Sequence, residues 1–145
     1  MDLLLRLSGR PPVVTTPDSS VLEAVEMMSG RRVGGVGVVT GDKLVGIFTE
    51  RDLMERIVLA SRDPGTTPIE TVMTTPVTSV KAGDDPQDAL HMMLRRHIRH
   101  LPVVDEAGRM LGMLSIRDLL QNQLEKAISE ADALEAFLTA DGPGG

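Results

Sequence analysis

The chain has 145 residues, 41% of them apolar, and a formal net charge of −6; this length suits one domain or two small repeats that share a core. An acidic balance without a long basic run, with only Phe48 and Phe137 as aromatics, argues against a nucleic-acid partner, which asks for a basic face and stacking rings. Cysteine is absent, so disulfides and thiolate metal sites are excluded.

In chain order, residues 1–12 read as a lead-in. Their opening, MDLLLRLSG, is too short and too charged for a membrane span and carries no signal-cleavage pattern, so a soluble, cytoplasmic chain without a membrane partner is expected. Residues 13–60 form a first unit. It starts extended (VVTTPDSS), then shows helical spacing at Val21, Ala24, Val25 and Met28, with Asp18, Ser19 or Ser20 as the cap. A Val-rich strand follows, then a turn at Gly41-Asp42, a second strand KLVGIF, and a helix from Thr49. After a linker at residues 61–73, residues 74–125 repeat this order: the extended PVTSVKAGDDP, a helix through Ala89, Leu90, Met92 and Met93 capped by Asp84 or Asp85, a strand, a turn at Ala107-Gly108, the strand RMLGML, and a helix from Ser115. Residues 126–145 are the tail. Leu119 to Ala140 is one long helix pattern, with Leu124, Ala127, Ala131, Leu134 and Leu138 on one face, followed by a flexible DGPGG.

The repeat is explicit. A shift of 65 lays EAVEMM on DALHMM and GVGVV on HLPVV, and a shift of 66 lays GIFTERDL on GMLSIRDL. Each motif sets a Gly (Gly46, Gly112) three residues before a hydroxyl (Thr49, Ser115) and an Asp three residues after it (Asp52, Asp118). One reading is a helix capping box, which needs no ligand and contributes about 1 kcal/mol. The other is a nucleotide site: the carboxylate accepts from a ribose diol, the helix start and hydroxyl meet a phosphate, and the Gly admits the ligand close to the sheet.

From about Leu3 to Thr139 the chain resembles a tandem cystathionine-β-synthase (CBS) domain pair, or Bateman module. The pieces that carry the resemblance are MMLRRHIRHLPVVDEAGRMLGMLSIRDLL, GDKLVGIFTERDLMERIV and the joining VMTTPVTSV, and it is strongest to stand-alone bacterial two-CBS proteins. It implies an α/β (α+β) fold of two β-α-β-β-α units packed about a pseudo-twofold axis, and a homodimer. It also implies clefts between the units for an adenine-containing regulatory ligand: AMP, ADP, ATP, NAD or S-adenosylmethionine, with Mg²⁺ as a candidate companion of the phosphates. Such a module senses a ligand and signals to an effector protein that the sequence does not name.

The resemblance also assigns roles. Asp52 and Asp118 would hold the ribose, and Thr49 and Ser115 the phosphate. Thr15, Thr16, Thr78 and Ser79 are the first-strand candidates. The backbone at Val36, Gly37 and Val38, and at Leu101, Pro102 and Val103, would meet the adenine, with Gly37 departing from the family's Pro. Basic groups before the second-unit strand would reach the other unit's Asp, so the Asp52 site gains Arg99 and His100, while the Asp118 site faces Gly34 and Gly35 and their open space. Arg51 and Arg117 add charge to either. The Asp52 site is therefore expected to favour phosphate-rich ligands, and the Asp118 site a bulkier, less charged one or none.

Other features read plainly. Arg95 to His100 equally suits a solvated helix end, where cations are favourable. His97 and His100 match no structural zinc pattern, and His91 has no assigned role. One Met of each pair, Met27-Met28 and Met92-Met93, belongs to the core. The tail helix suits its own domain, a dimer contact or a partner. No nucleophile with a base, Walker glycine loop or metal-hydrolysis carboxylate cluster is present, so no enzyme is expected. The rival to sensing is a structural dimerisation protein whose motifs only cap helices.

Overall fold

The computed structural model describes residues 3–9 and 11–140. A short α1 (Leu3–Ser8) precedes the first unit, β1 (Val14–Thr15), α2 (Val21–Arg31), β2 (Gly35–Thr40), β3 (Lys43–Thr49) and α3 (Glu50–Asp52). α3 widens at once into a π-helical stretch, Leu53–Val58. A 3₁₀ turn, Ile69–Thr71, lies in the linker. The second unit is β4 (Val80–Lys81), α4 (Pro86–Arg96), β5 (His100–Val104), β6 (Met110–Ser115) and α5 (Ile116–Ala140). The expected tail helix is thus continuous with the second unit's last helix, and the expected flexible DGPGG lies outside the described residues.

Each unit carries a three-stranded sheet of the same topology, β1-β2-β3 and β4-β5-β6, with the first pair parallel and the second antiparallel. The register repeats as well: Thr15 stands opposite Val38, and Val80 opposite Val103. Both hairpins slip register at the same point, after Val38 and after Val103. α2 is capped by Ser20, whose hydroxyl accepts from the Glu23 amide, and α4 by Asp85, which accepts from the Gln87 amide. Both helices end on left-handed residues at matching places, Arg32 (φ 54°) and His97 (φ 55°), which turns the chain sharply into β2 and β5.

Two aliphatic cores result. The first gathers Val21, Ala24, Met28, Val36, Val38, Phe48 and Ile57, and the second Val80, Ala89, Met93, Leu101, Val103, Leu114 and Leu119. Met28 and Met93 are the buried members of the two Met pairs. The lead-in and linker differ from their expected roles, because both complete cores. α1 leaves the unit it precedes and buries Leu4 in the second core, whereas Ile69 and Val72 of the linker enter the first. A three-stranded sheet leaves an apolar face that its own two helices do not cover, so a neighbouring segment must.

The units also join through their hairpin turns. The Leu44 amide donates to the Gly108 carbonyl at 3.1 Å and the Met110 amide to the Asp42 carbonyl at 3.3 Å. Arg109 lies 2.7 Å from Asp105 and 4.0 Å from Asp42. Met110 packs where a Gly37 Cβ would stand. No helix among the described residues is long and apolar enough to cross a membrane.

Candidate functional site

The two motif helices begin alike. Asp52 Oδ2 accepts the Thr49 amide at 3.0 Å while the Asp52 amide donates to Thr49 Oγ1 at 3.4 Å. Asp118 Oδ2 accepts the Ser115 amide at 3.0 Å while the Asp118 amide donates to Ser115 Oγ at 3.1 Å. Both are reciprocal capping boxes. The second carboxylate oxygens differ. Asp52 Oδ1 accepts the Thr74 hydroxyl at 3.0 Å and faces Arg56 Nε at 3.6 Å. Arg56 in turn donates to the Val72 and Met73 carbonyls at 3.0 and 2.9 Å. Asp52 is buried and stitched to the linker, whereas Asp118 is half-buried and its Oδ1 has no protein partner among the described residues.

Each motif opens on a cavity between the units. The first, about 480 Å³, brings Thr49, Arg51 and Asp52 together with Thr78, Arg99 and His100. The second, about 460 Å³, brings Ser115, Arg117 and Asp118 together with Gly34, Gly35 and His100. The cross-over expected from the sequence is therefore the arrangement found: the chain entering β5 meets the first unit's helix start, and the chain entering β2 meets the second's. Within each unit a backbone hydrogen bond ties the helix start to its own pre-strand segment, from the Glu50 amide to the Gly34 carbonyl (3.0 Å) and from the Ile116 amide to the Arg99 carbonyl (2.9 Å).

His100 lines both cavities. Its ring lies over Gly34, where a Cβ would stand 2.6 Å from Nε2, with Glu50 Oε1 beside it at 3.1 Å. The space expected over the two glycines is thus filled by the imidazole, which enters because no Cβ opposes it. Burial holds the His100 pKa below its ordinary value; Arg99 adds to this, while Glu50 and Asp118 oppose it.

Several expected residues lie elsewhere. Gly46 and Gly112 line neither cavity. Their missing side chains admit protein rather than ligand: a Cβ on Gly46 would collide with Met73, 2.8 Å from its Cγ, and one on Gly112 would stand 2.7 Å from Ser8 Oγ. Thr15 is buried and donates to Ser19 Oγ, and Thr16 donates to Asp18. The register explains this. Thr15 matches Val80, so the counterpart of Thr78 is Val13, which lines the second cavity. Ser79 reaches neither cavity. Val36, Gly37, Val38, Leu101, Pro102 and Val103 are absent from both linings: Val36, Val38, Leu101 and Val103 turn their side chains into the cores, and Gly37 and Pro102 are buried.

Other lining residues carry no motif signal. Arg56, Thr74 and His97 stand at the first cavity, and Ser8, Pro12 and Arg32 at the second. The repeat shift could have found Arg32 and Val13 as partners of His97 and Thr78. Thr74 and Ser8 depend on how the linker and α1 fold back. No cluster of three or more His, Cys, Asp or Glu suited to a metal occurs among the described residues.

Comparison with known proteins gives the family and the fold. The CBS domain model matches residues 6–59 and 69–125, so the chain belongs to the CBS domain family. It is 34% identical over 109 residues to the CBS domain-containing protein YhcV of Bacillus subtilis, covering 75% of this chain and 76% of that one. Among solved structures, it is 30% identical to the CBS domain protein PAE2072 of Pyrobaculum aerophilum complexed with AMP, with a TM-score of 0.73, covering 81% of this chain and 89% of that one. The CBS domain pair of protein MJ0100, in complex with 5′-methylthioadenosine and S-adenosyl-L-methionine, is 25% identical with a TM-score of 0.76, covering 86% and 97%. The chain spans 59% of an uncharacterized Methanopyrus kandleri relative and 21% of an inosine-5′-monophosphate dehydrogenase of Methanocaldococcus jannaschii.

Proposed function

We propose that the protein is a regulatory module that binds adenine-containing ligands in the two cavities and passes the change in its units to a partner protein. The observation that carries this is the crossed construction: each cavity joins one unit's hydroxyl–Asp helix start to the other unit's pre-strand segment. A ligand spanning it touches both halves, and its differential affinity for two relative positions of the halves shifts their balance. The AMP complex of PAE2072 and the methylthioadenosine and S-adenosyl-L-methionine complex of the MJ0100 pair support the adenosine class.

The cavities suit different ligands. At the first, Arg56 is turned onto Asp52 and the linker carbonyls, Glu50 and Glu55 stand at the wall, and Arg51 and Arg99 are the cations that would meet a phosphate-bearing nucleotide. The second offers Asp118, whose Oδ1 has no partner among the described residues, with Arg32 and Arg117 and beside Pro12, Val13 and Met113. The apolar wall of Pro12, Val13 and Met113 suits a nucleoside with an apolar substituent. Sensing, with no chemical step, is the role this supports, in a soluble cytoplasmic chain.

A second reading has its own observation. Both capping boxes are complete, and Asp52 has all its close partners within the protein. The chain would then be an interaction module in which the motif serves folding. Thermal melting with AMP, ADP, ATP, NAD, S-adenosylmethionine and methylthioadenosine, with and without Mg²⁺, separates the two. A ligand at about 100 times its dissociation constant stabilises by roughly 2.7 kcal/mol. The sensing reading expects a phosphate-bearing ligand to lose its shift in Asp52→Ala and a nucleoside thioether to lose it in Asp118→Ala. No shift from any of them leaves the interaction module standing.

A further inference from the structure

His100 and Gly35 hold the same place in the two units: His100 opens β5 opposite Ser115, and Gly35 opens β2 opposite Thr49. One position carries an imidazole and the other carries no side chain. The two positions meet, because a Cβ on Gly35 would stand 3.6 Å from His100 Cγ and one on Gly34 2.6 Å from its Nε2. A second side chain of that size would not fit, so a single ring serves as a wall to both cavities. Its backbone is fixed in the β5–β6 ladder, but its ring nitrogens have no hydrogen-bond partner among the described residues. Rotation about two side-chain bonds is enough to change which cavity the ring fills.

Resting on the reading of both cavities as ligand sites, we propose that His100 sets which ligands the protein holds together: a phosphate in the first cavity draws the ring off Gly34, and the space vacated beside Asp118 admits a nucleoside in the second. In this structure the ring lies over Gly34 and Gly35, which line the second cavity and not the first, so it takes room from the second. Burial keeps the ring's pKa below its ordinary value, with Arg99 adding to this and Glu50 and Asp118 opposing it. At neutral pH the ring is therefore uncharged and has one N–H to give. A phosphate placed by Arg51 and Arg99 is the acceptor for it. A nucleoside in the second cavity works from the other side, because it needs the same space and pushes the ring toward the first. Both ligands favour one ring position, so each tightens the other, and by the same factor. A first-cavity ligand without phosphate offers the ring no such acceptor and gains nothing from its turn.

Calorimetry on the full chain tests this with AMP as the phosphate-bearing probe and 5′-methylthioadenosine as the nucleoside probe. 5′-Methylthioadenosine is titrated alone, then with AMP saturating, then with adenosine saturating. The expected result is binding at least about fivefold tighter with AMP, the lower end of ordinary coupling between sites, and no tightening with adenosine. The same titrations in His100→Ala should show no tightening, whatever the separate affinities of the two probes become. In Gly34→Ala the new Cβ holds the ring off the glycine, so AMP alone should bind at least about fivefold tighter than it does to the wild-type chain; this variant decides the matter if His100→Ala fails to fold. AMP binding without tighter 5′-methylthioadenosine binding overturns the coupling and leaves the ligand-binding reading intact. Tightening that persists in His100→Ala, or an AMP affinity that does not rise in Gly34→Ala, overturns the part given to His100. A chain that binds neither probe overturns the ligand-binding reading and the coupling with it.

Discussion

Asp52 and Asp118 occupy matching motif positions, yet their removal should cost unequal stability. Asp118→Ala loses a capping interaction with the Ser115 amide, about 1 kcal/mol. Asp52→Ala loses the same cap, the Thr74 hydroxyl bond at 3.0 Å and the Arg56 ion pair at 3.6 Å. A hydrogen bond to a charged group adds about 1.5–3 kcal/mol, and an i,i+4 ion pair about 0.3–0.5 kcal/mol. Asp52→Ala should therefore cost at least about 3 kcal/mol, three times Asp118→Ala or more. Urea unfolding followed by circular dichroism, without ligand, measures both. In a chain of 145 residues each kcal/mol corresponds to about 4 °C of melting temperature, so thermal scans should separate the variants by about 8 °C. Equal losses, or a larger loss for Asp118→Ala, would refute the claim that the linker is anchored on Asp52.

Three further outcomes follow from the geometry. Gly46→Ala should destabilise by about 1–3 kcal/mol through collision with Met73, and Met73→Ala in the same chain should recover most of it, as a double-mutant cycle in urea would report. Arg99→Ala, an exposed change at the first cavity, should weaken a phosphate-bearing nucleotide severalfold by calorimetry while leaving the unliganded melting temperature within about 2 °C. His100 has a folded pKa below its ordinary 6.5, chiefly from burial. The unfolded state therefore binds the proton first, so stability is full above about 6.5 and falls as pH drops below it toward the folded value. Melting temperatures across pH 8 to 5 should show that extra loss in the wild-type chain, and His100→Gln should flatten it.

The repeat made much of this protein legible. Shifting the chain on itself defined both units, the helix caps within a residue or two, and the pairing of GIFTERDL with GMLSIRDL, because local propensity and periodicity act over a few residues. The crossed arrangement of Arg99 and His100 against Thr49 and Asp52 was also within reach, once the resemblance of the two halves to a CBS pair supplied the way they face each other. Phasing of the first strands was lost where it depended on register. Thr15 and Thr16 looked like counterparts of Thr78 by composition, but pairing with β2 makes Val13 the counterpart.

What tertiary structure alone decided is what fills the space beside the motifs. Nothing local in either motif says that Gly46 faces Met73 or that Gly112 faces Ser8, since those neighbours arrive from the linker and from α1, distant in the chain from the strands they cover. Nothing local in RRHIRH says that His100 will rest on Gly34 and look into both cavities. Such contacts join residues far apart in the chain and form only when the linker, α1 and the facing unit close over each small sheet. The order of elements and the chemistry of the motif thus reside in the sequence pattern. The inequality of the two carboxylates, one tied to the linker and one with no partner beyond its own cap among the described residues, arises only in the packed molecule.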